Sequence, residues 1–154
     1  KMNWITGNGK ETNFYDITQK IKSHNSRKGQ VIVGTDSHVR KNQCVFTTTI
    51  VLLGAENQKG GLYFFKKEKY DDHGRIFNRI LKEVEKSVNL AVKITELCPT
   101  TNMEIHIDVS PEDQGEKTSS MARMLTGYAR GSGFKCKIKP DSFAASTVAD
   151  KHTK

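Results

Sequence analysis

One change of period constrains this chain more than anything else in it. From Gln30 to Lys69 the apolar residues fall in short β-branched runs separated by polar turns, and from Phe77 onward they recur every three or four positions. A period near two belongs to strands and one near 3.6 to helices. Val31, Ile32 and Val33 mark a first strand over Gln30–Val39, followed by the polar turn Arg40-Lys41-Asn42-Gln43. Cys44–Leu53 is a second strand, and Leu62–Lys69 is a third, after a turn from Gly54 to Gly61. Three sequential strands with short connections read as an antiparallel meander. Phe77, Leu81, Val84, Val88, Ala91 and Val92 then predict one amphipathic helix over His73–Leu97, stopped by Pro99. Met103–Val109 predicts a fourth strand, and Thr118–Arg130 a second helix that Gly131-Ser132-Gly133 ends. Phe134–Ile138 predicts a fifth strand and Ser142–His152 a last short helix.

The order β-β-β-α-β-α-β-α puts the strands that are joined through helices in parallel. The expected fold class is α/β, a mixed five-stranded sheet with helices on its faces. Ahead of it, residues 1–14 read as a loose polar arm, and Tyr15–His24 as a short helix with Ile17 and Ile21 one turn apart. The expected organisation is an arm and short helix over 1–29 and a main body over 30–154, together a single domain. Neither a linker nor a repeat interrupts it.

The longest apolar runs, Ile50-Val51-Leu52-Leu53 and Leu62-Tyr63-Phe64-Phe65, fall far short of the roughly 20 residues a membrane helix needs. No membrane partner is expected, and Lys1-Met2-Asn3-Trp4 lacks the apolar stretch of a secretory signal. Lysine and arginine number 25 against 17 aspartates and glutamates, a net charge of +8 that favours a polyanionic partner, most often nucleic acid. Cys44, Cys98 and Cys136 are odd in number, far apart and outside any C-x-x-C pair. That spacing predicts reduced thiols, a cytoplasmic setting and no zinc knuckle. The sequence holds no H-E-x-x-H, no phosphate-cradling glycine loop and no G-x-S-x-G elbow, which argues against the common zinc hydrolases, ATPases, dinucleotide enzymes and serine hydrolases.

Acidic residues placed at strand ends carry the chemistry. Gly34-Thr35-Asp36-Ser37-His38 stands where the first strand runs out, and His106-Ile107-Asp108-Val109 repeats the arrangement on the fourth. If those strands are parallel neighbours, Asp36 and Asp108 project side by side. Two carboxylates held close raise one another's pKa, and a divalent cation relieves the repulsion. Mg²⁺ suits one or two carboxylates plus substrate phosphates. Taken alone, Asp36 is also a good entry to an Asx turn. On the long helix, Glu85 lies beside Leu81 and Val92 at the border of the apolar stripe, and Glu83 is turned further from its centre. Asp141 either caps the last helix or joins the acids; Asp150 lies deeper in that helix. His38 and His106 adjoin the carboxylates and can assist proton transfer or orient a phosphate. Lys135, Lys137 and Lys139 share one face of the fifth strand, where they either follow phosphates or guard an edge. Lys66, Lys67 and Lys69, at the end of the third strand, precede Tyr70, which either stacks on a base or belongs with them to a solvated turn.

The G-T-D-S-H strand end, the H-I-D segment and the closing K-P-D-S-F-A-A-S run together resemble the bacterial YkuK-type RNase H-like family, over about Gln30 to Lys154. The resemblance implies an RNase H-like domain and divalent-metal-dependent phosphodiester cleavage of RNA or DNA with Mg²⁺ or Mn²⁺. It implies that Asp36 bridges two ions, that Asp108 and Glu85 hold one side, and that Asp150 or Asp141 holds the other. The rival expectation is a non-catalytic RNase H-like module that binds nucleic acid.

Overall fold

The computed structural model describes residues 3–71, 75–110 and 119–144. Its centre is one mixed sheet of seven strands. They are β1 (Trp4–Thr6), β2 (Glu11–Thr12), β3 (Gln30–Arg40), β4 (Gln43–Leu53), β5 (Leu62–Tyr70), β6 (Asn102–His106) and β7 (Lys135–Lys137). The order across the sheet is β2-β1-β5-β4-β3-β6-β7. Three helices accompany it: α1 (Phe14–Ser26), α2 (Ile76–Leu97) and α3 (Ala122–Gly131), the last entered through a 3₁₀ turn at Ser119–Met121.

The meander is present as read. β3 pairs with β4 from Gln30↔Leu53 through Arg40↔Gln43, and β4 pairs with β5, both antiparallel. Lys41 and Asn42 link β3 to β4 with φ of 51° and 65°. Two left-handed residues make the tight hairpin turn whose twist matches that of its strands. β6 lies on the other side of β3 in parallel, with Val31↔Met103 and Gly34↔His106, and β7 adds in parallel to β6. β3 is therefore central, and every later element is placed from it.

The sheet has two strands more than the five expected. Residues 4–12 do not form a loose arm: β1 pairs with β5 through Ile5↔Phe65, and β2 folds back on β1. Trp4 is buried there, 6% exposed. With three and two residues and an intervening Gly-Asn-Gly turn, these strands are too short and polar to show an alternation. The last predicted helix, Ser142–His152, lies outside the described residues from 145 on.

All three helices pack on one face of the sheet. Ile17 and Ile21 of α1, Ile80, Val84, Val88, Ala91 and Ile94 of α2, and Leu125 and Ala129 of α3 join Val31, Val33, Ile50, Leu52, Phe64 and Ile105 in one core. Ile17, Ile21, Ile50, Ile94 and Ile105 are fully buried, and each such side chain contributes about 1.5–3 kcal/mol of hydrophobic stabilisation. On the opposite face a smaller cluster gathers Ile32, Val51 and Ala144. Cys44, Cys98 and Cys136 are buried free thiols. No helix among the described residues is long and apolar enough to cross a membrane.

Candidate active site

The site grows out of the alternation along β3. Val31 and Val33 face the helical core, so Thr35 and Ser37 do too; Ile32, on the other face, shares its side with Asp36 and His38. Two polar contacts bolt α2 to this end of β3. Thr35 Oγ1 and Ser87 Oγ are 2.7 Å apart, and Ser37 Oγ donates to Glu83 Oε2 at 2.5 Å. Two residues along a strand match four along a helix, so the contacts form a continuous polar seam through the core. Arg79, one turn before Glu83, donates to the Ser37 carbonyl at 3.3 Å and approaches the Ser37 hydroxyl at 3.4 Å.

β6 ends opposite Gly34, but its register carries on in the side chains. Ile107 and Val109 enter the helical core, so Asp108 turns to the face that Asp36 occupies, beside it. Asp36 is pushed up from the ordinary carboxylate range, first by burial and then by the Asp108 charge; the Ser37 amide, His38 and Arg79 act in the opposite sense. Glu83 comes from the α2 side and is 5% exposed. Burial, with the Asp36 and Asp108 charges adding to it, pushes its carboxyl up to about 8, against the opposing Ser37 hydrogen bond and Arg79. Three carboxyls are thus within electrostatic reach of one another. Thr47, cross-strand from Asp36, and Ser110, two residues past Asp108, bury hydroxyls that have no partner among the described residues.

Glu85, the expected helix acid, points to solvent. The buried stripe of α2 runs through Ile80, Glu83, Val84, Ser87, Val88, Ala91 and Ile94. Phe77 and Val92, which set the phase of the sequence reading, are 39% and 38% exposed. Ser87 was unreadable as a core position because its burial depends on the Thr35 hydroxyl across the seam. Counting it inside moves the stripe's centre toward Glu83 and away from Glu85.

A family model described as Ribonuclease H-like matches residues 12–154. The chain belongs to the ribonuclease H-like family. No curated protein and no solved structure matches it. In this ribonuclease H-like chain Asp36 and His38 share one face of the central strand, and Asp108 lies at the end of the parallel neighbour. Asp108 also has a cationic partner: Lys139 Nζ stands 3.1 Å from its Oδ1, with both side chains nearly half exposed. Lys137 lies 3.8 Å from Glu104, and β7 is the sheet's edge strand. Lys66, Lys67 and Lys69 belong to β5 and not to a turn.

His106 has a different job from the one its position suggested. Its Nδ1 accepts from the Phe143 amide at 3.0 Å, and its Nε2 lies 2.8 Å from Glu104 Oε1. An acceptor at Nδ1 puts the proton on Nε2, where it is donated to the carboxylate. Burial lowers the imidazole pKa against the pull of Glu104, so the ring is neutral at neutral pH. The Glu104–His106 pair therefore latches the segment after β7 onto β6, and the Phe143 ring stands edge-on to the imidazole. Asp141 is exposed in the turn before that latch, its amide bonded to the Ile138 carbonyl at 2.8 Å. Asp150 lies outside the described residues.

The donor set matches a hard divalent cation in chemistry. It offers Asp36 and Asp108 together, Glu83 close by, and two buried hydroxyls without partners among the described residues. No group of three or more His, Cys, Asp or Glu side chains among the described residues converges in ligand geometry. Mg²⁺ accommodates such a site, because it keeps several waters and takes only one or two carboxylates.

Proposed function

We propose that this chain is a divalent-metal-dependent nuclease acting on RNA or DNA. One observation carries the reading: the parallel β3–β6 pairing sets Asp36, inside β3, beside Asp108, just past the end of β6, with the buried Glu83 carboxyl close enough to feel both. Mg²⁺ or Mn²⁺ would be held by Asp36 and Asp108, with Glu83 in the helix position that the family resemblance assigned to Glu85, and Asp150 or Asp141 as the last acid. Such an ion supplies Lewis-acid assistance to phosphodiester hydrolysis. The chain's own residues do the rest. Ser37, itself held by Arg79, keeps the Glu83 carboxyl in place, and His38 on the Asp36 face can take or give a proton near the reacting phosphate. The net charge of +8 draws the strand in.

A second reading has its own observation. Lys139 already neutralises Asp108 at 3.1 Å, as expected in a module that binds nucleic acid without cleaving it. Thermal midpoints with and without Mn²⁺, for the parent and for Asp36→Asn, decide between them alongside a cleavage assay on single-stranded RNA and DNA. The nuclease reading expects a metal-induced rise in the parent, a much smaller one in Asp36→Asn, and Mn²⁺-dependent products from the parent alone. Equal metal responses, or no products with either strand type, would leave the binding module.

A further inference from the structure

A cleft of about 260 Å³ opens beside α2, on the helical face of the sheet and away from the face of Asp36 and Asp108. Its walls include Trp4 of β1, Phe14 of α1, Lys66 of β5, and Lys86, Asn89 and Lys93 of α2. Three ammonium groups and two aromatic rings meet there. Lys86 has a counter-ion: it pairs with Glu68 at 2.9 Å and also reaches the Tyr70 hydroxyl at 2.8 Å. Among the described residues Lys66 and Lys93 form no ion pair with a carboxylate. They sit instead over rings, Lys66 at 5.2 Å from the Trp4 centroid and Lys93 at 4.5 Å from that of Phe14. Lys66 as a whole residue is partly buried.

The cleft's charge and shape call for a ligand with both an anionic and a planar part. Lys66 and Lys93 leave two uncompensated positive charges, and the Glu68 carboxylate is already used by Lys86. Phe14 and Trp4 both line the cleft, their ring centroids 6.4 Å apart, and Phe14 is the more exposed of the two. The Asn89 amide and the Thr48 hydroxyl add neutral hydrogen-bonding groups on the wall. A phosphate with an attached base fits this set, whereas a bare phosphate leaves the rings unused and a nucleoside leaves the lysines unpaired.

We propose that this cleft is a nucleotide subsite, taking one nucleotide unit with its phosphate against Lys66 and Lys93 and its base against Phe14, next to Trp4. The unit comes from a single-stranded nucleic acid that crosses this flank, or from a free mononucleotide; the recognition chemistry is shared. It needs no metal and none of the acids of β3 and β6. The subsite goes beyond the nuclease reading and stands without it.

Trp4 is the only tryptophan in the chain, so its fluorescence reports on the cleft directly. Equilibrium dialysis of the full chain in EDTA, with Trp4 fluorescence read on the same samples, would use uridine monophosphate, uridine, inorganic phosphate and a short oligouridylate as separate probes. The expected result is saturable binding of uridine monophosphate with a change at Trp4, and weaker binding of uridine and of phosphate. Replacing both lysines, Lys66→Gln with Lys93→Gln, should weaken binding by about tenfold or more. Lys28→Gln, an exposed lysine elsewhere, and Asp36→Asn should leave it unchanged. An oligonucleotide that binds more tightly than the monomer, and loses the same factor in the double variant, identifies the occupant as part of a strand; the reverse order identifies a free nucleotide. Absence of saturable binding by both, or binding that the double variant does not alter, overturns the subsite. Retention of binding in Asp36→Asn separates this result from the fate of the nuclease reading.

Discussion

Glu83→Gln removes a carboxyl that the fold holds away from water, and the change should be visible in stability before any activity is measured. Burial and the neighbouring aspartates move this group from an ordinary 4.5 to about 8. A pKa that rises by one separates the two protonation states by about 1.4 kcal/mol more than before. The folded chain keeps a proton that the unfolded chain releases, so this contribution is fully present below the unfolded pKa and fades as pH rises toward the folded one. Near pH 7 the metal-free protein should have lost about 3 kcal/mol on this account, and somewhat more above pH 8. Glutamine carries no such proton, and its amide oxygen can still accept from Ser37. Urea unfolding in EDTA from about pH 5 to about pH 8 would measure both proteins. The parent should fall by roughly 3 kcal/mol more than Glu83→Gln across that window, and the variant should be the more stable of the two at the upper end. Parallel stability curves would refute the reasoning: Glu83 would then be ionised at no cost, and the crowded-carboxyl picture of the site would fail with it.

Further outcomes follow from the same contacts. Lys139→Gln should tighten Mn²⁺ binding severalfold by freeing Asp108, read by the paramagnetic signal of free Mn²⁺; weaker binding would show that Lys139 supports the site instead of competing for it. His106→Ala should cost about 2–4 kcal/mol and speed hydrogen exchange at the Phe143 amide, because it leaves the buried Glu104 carboxylate with only the longer Lys137 contact and removes the acceptor of that amide. Unchanged exchange would mean the latch does not hold that segment. Glu85→Gln should leave Mn²⁺-dependent cleavage within about twofold, whereas Glu83→Gln should reduce it by about a hundredfold, and the opposite ranking would return the helix position to Glu85. Asp150→Asn should abolish cleavage with little loss of metal-free stability, and Asp141→Asn should be milder; loss of cleavage in Asp141→Asn alone would make Asp141 the last acid.

The meander and the long helix were legible because strands of nine to eleven residues and a helix of 22 repeat their period several times. The proximity of Asp36 and Asp108 was legible too, since parallel pairing and the alternation rule place them without any side-chain detail. The helix acid was not. Its phase was read from Phe77 and Val92, which are substantially exposed, while the true seam depends on Ser87 and Glu83, polar residues made compatible with burial by Thr35 and Ser37. Arg79 and Lys139 were missed as members of the site for a related reason. A surface lysine and one placed on Asp108 look identical in a sequence, and only the packing of β7 beside β6 distinguishes them.

The short N-terminal hairpin has a practical consequence for any shortened version of this protein. The family match begins at residue 12, an inviting place to cut, yet the sheet begins at Trp4. Cutting there would strip β1 from β5 and leave the backbone donors and acceptors alongside Phe64 and Phe65 without their partner strand. An uncovered edge, apolar here over Leu62–Phe65, templates pairing with other chains. The shortened protein would be expected to self-associate on storage and to lose its only tryptophan reporter, while its acidic residues remained untouched. Poor behaviour of such a fragment would then reflect an unsealed flank of the sheet and say nothing about catalysis.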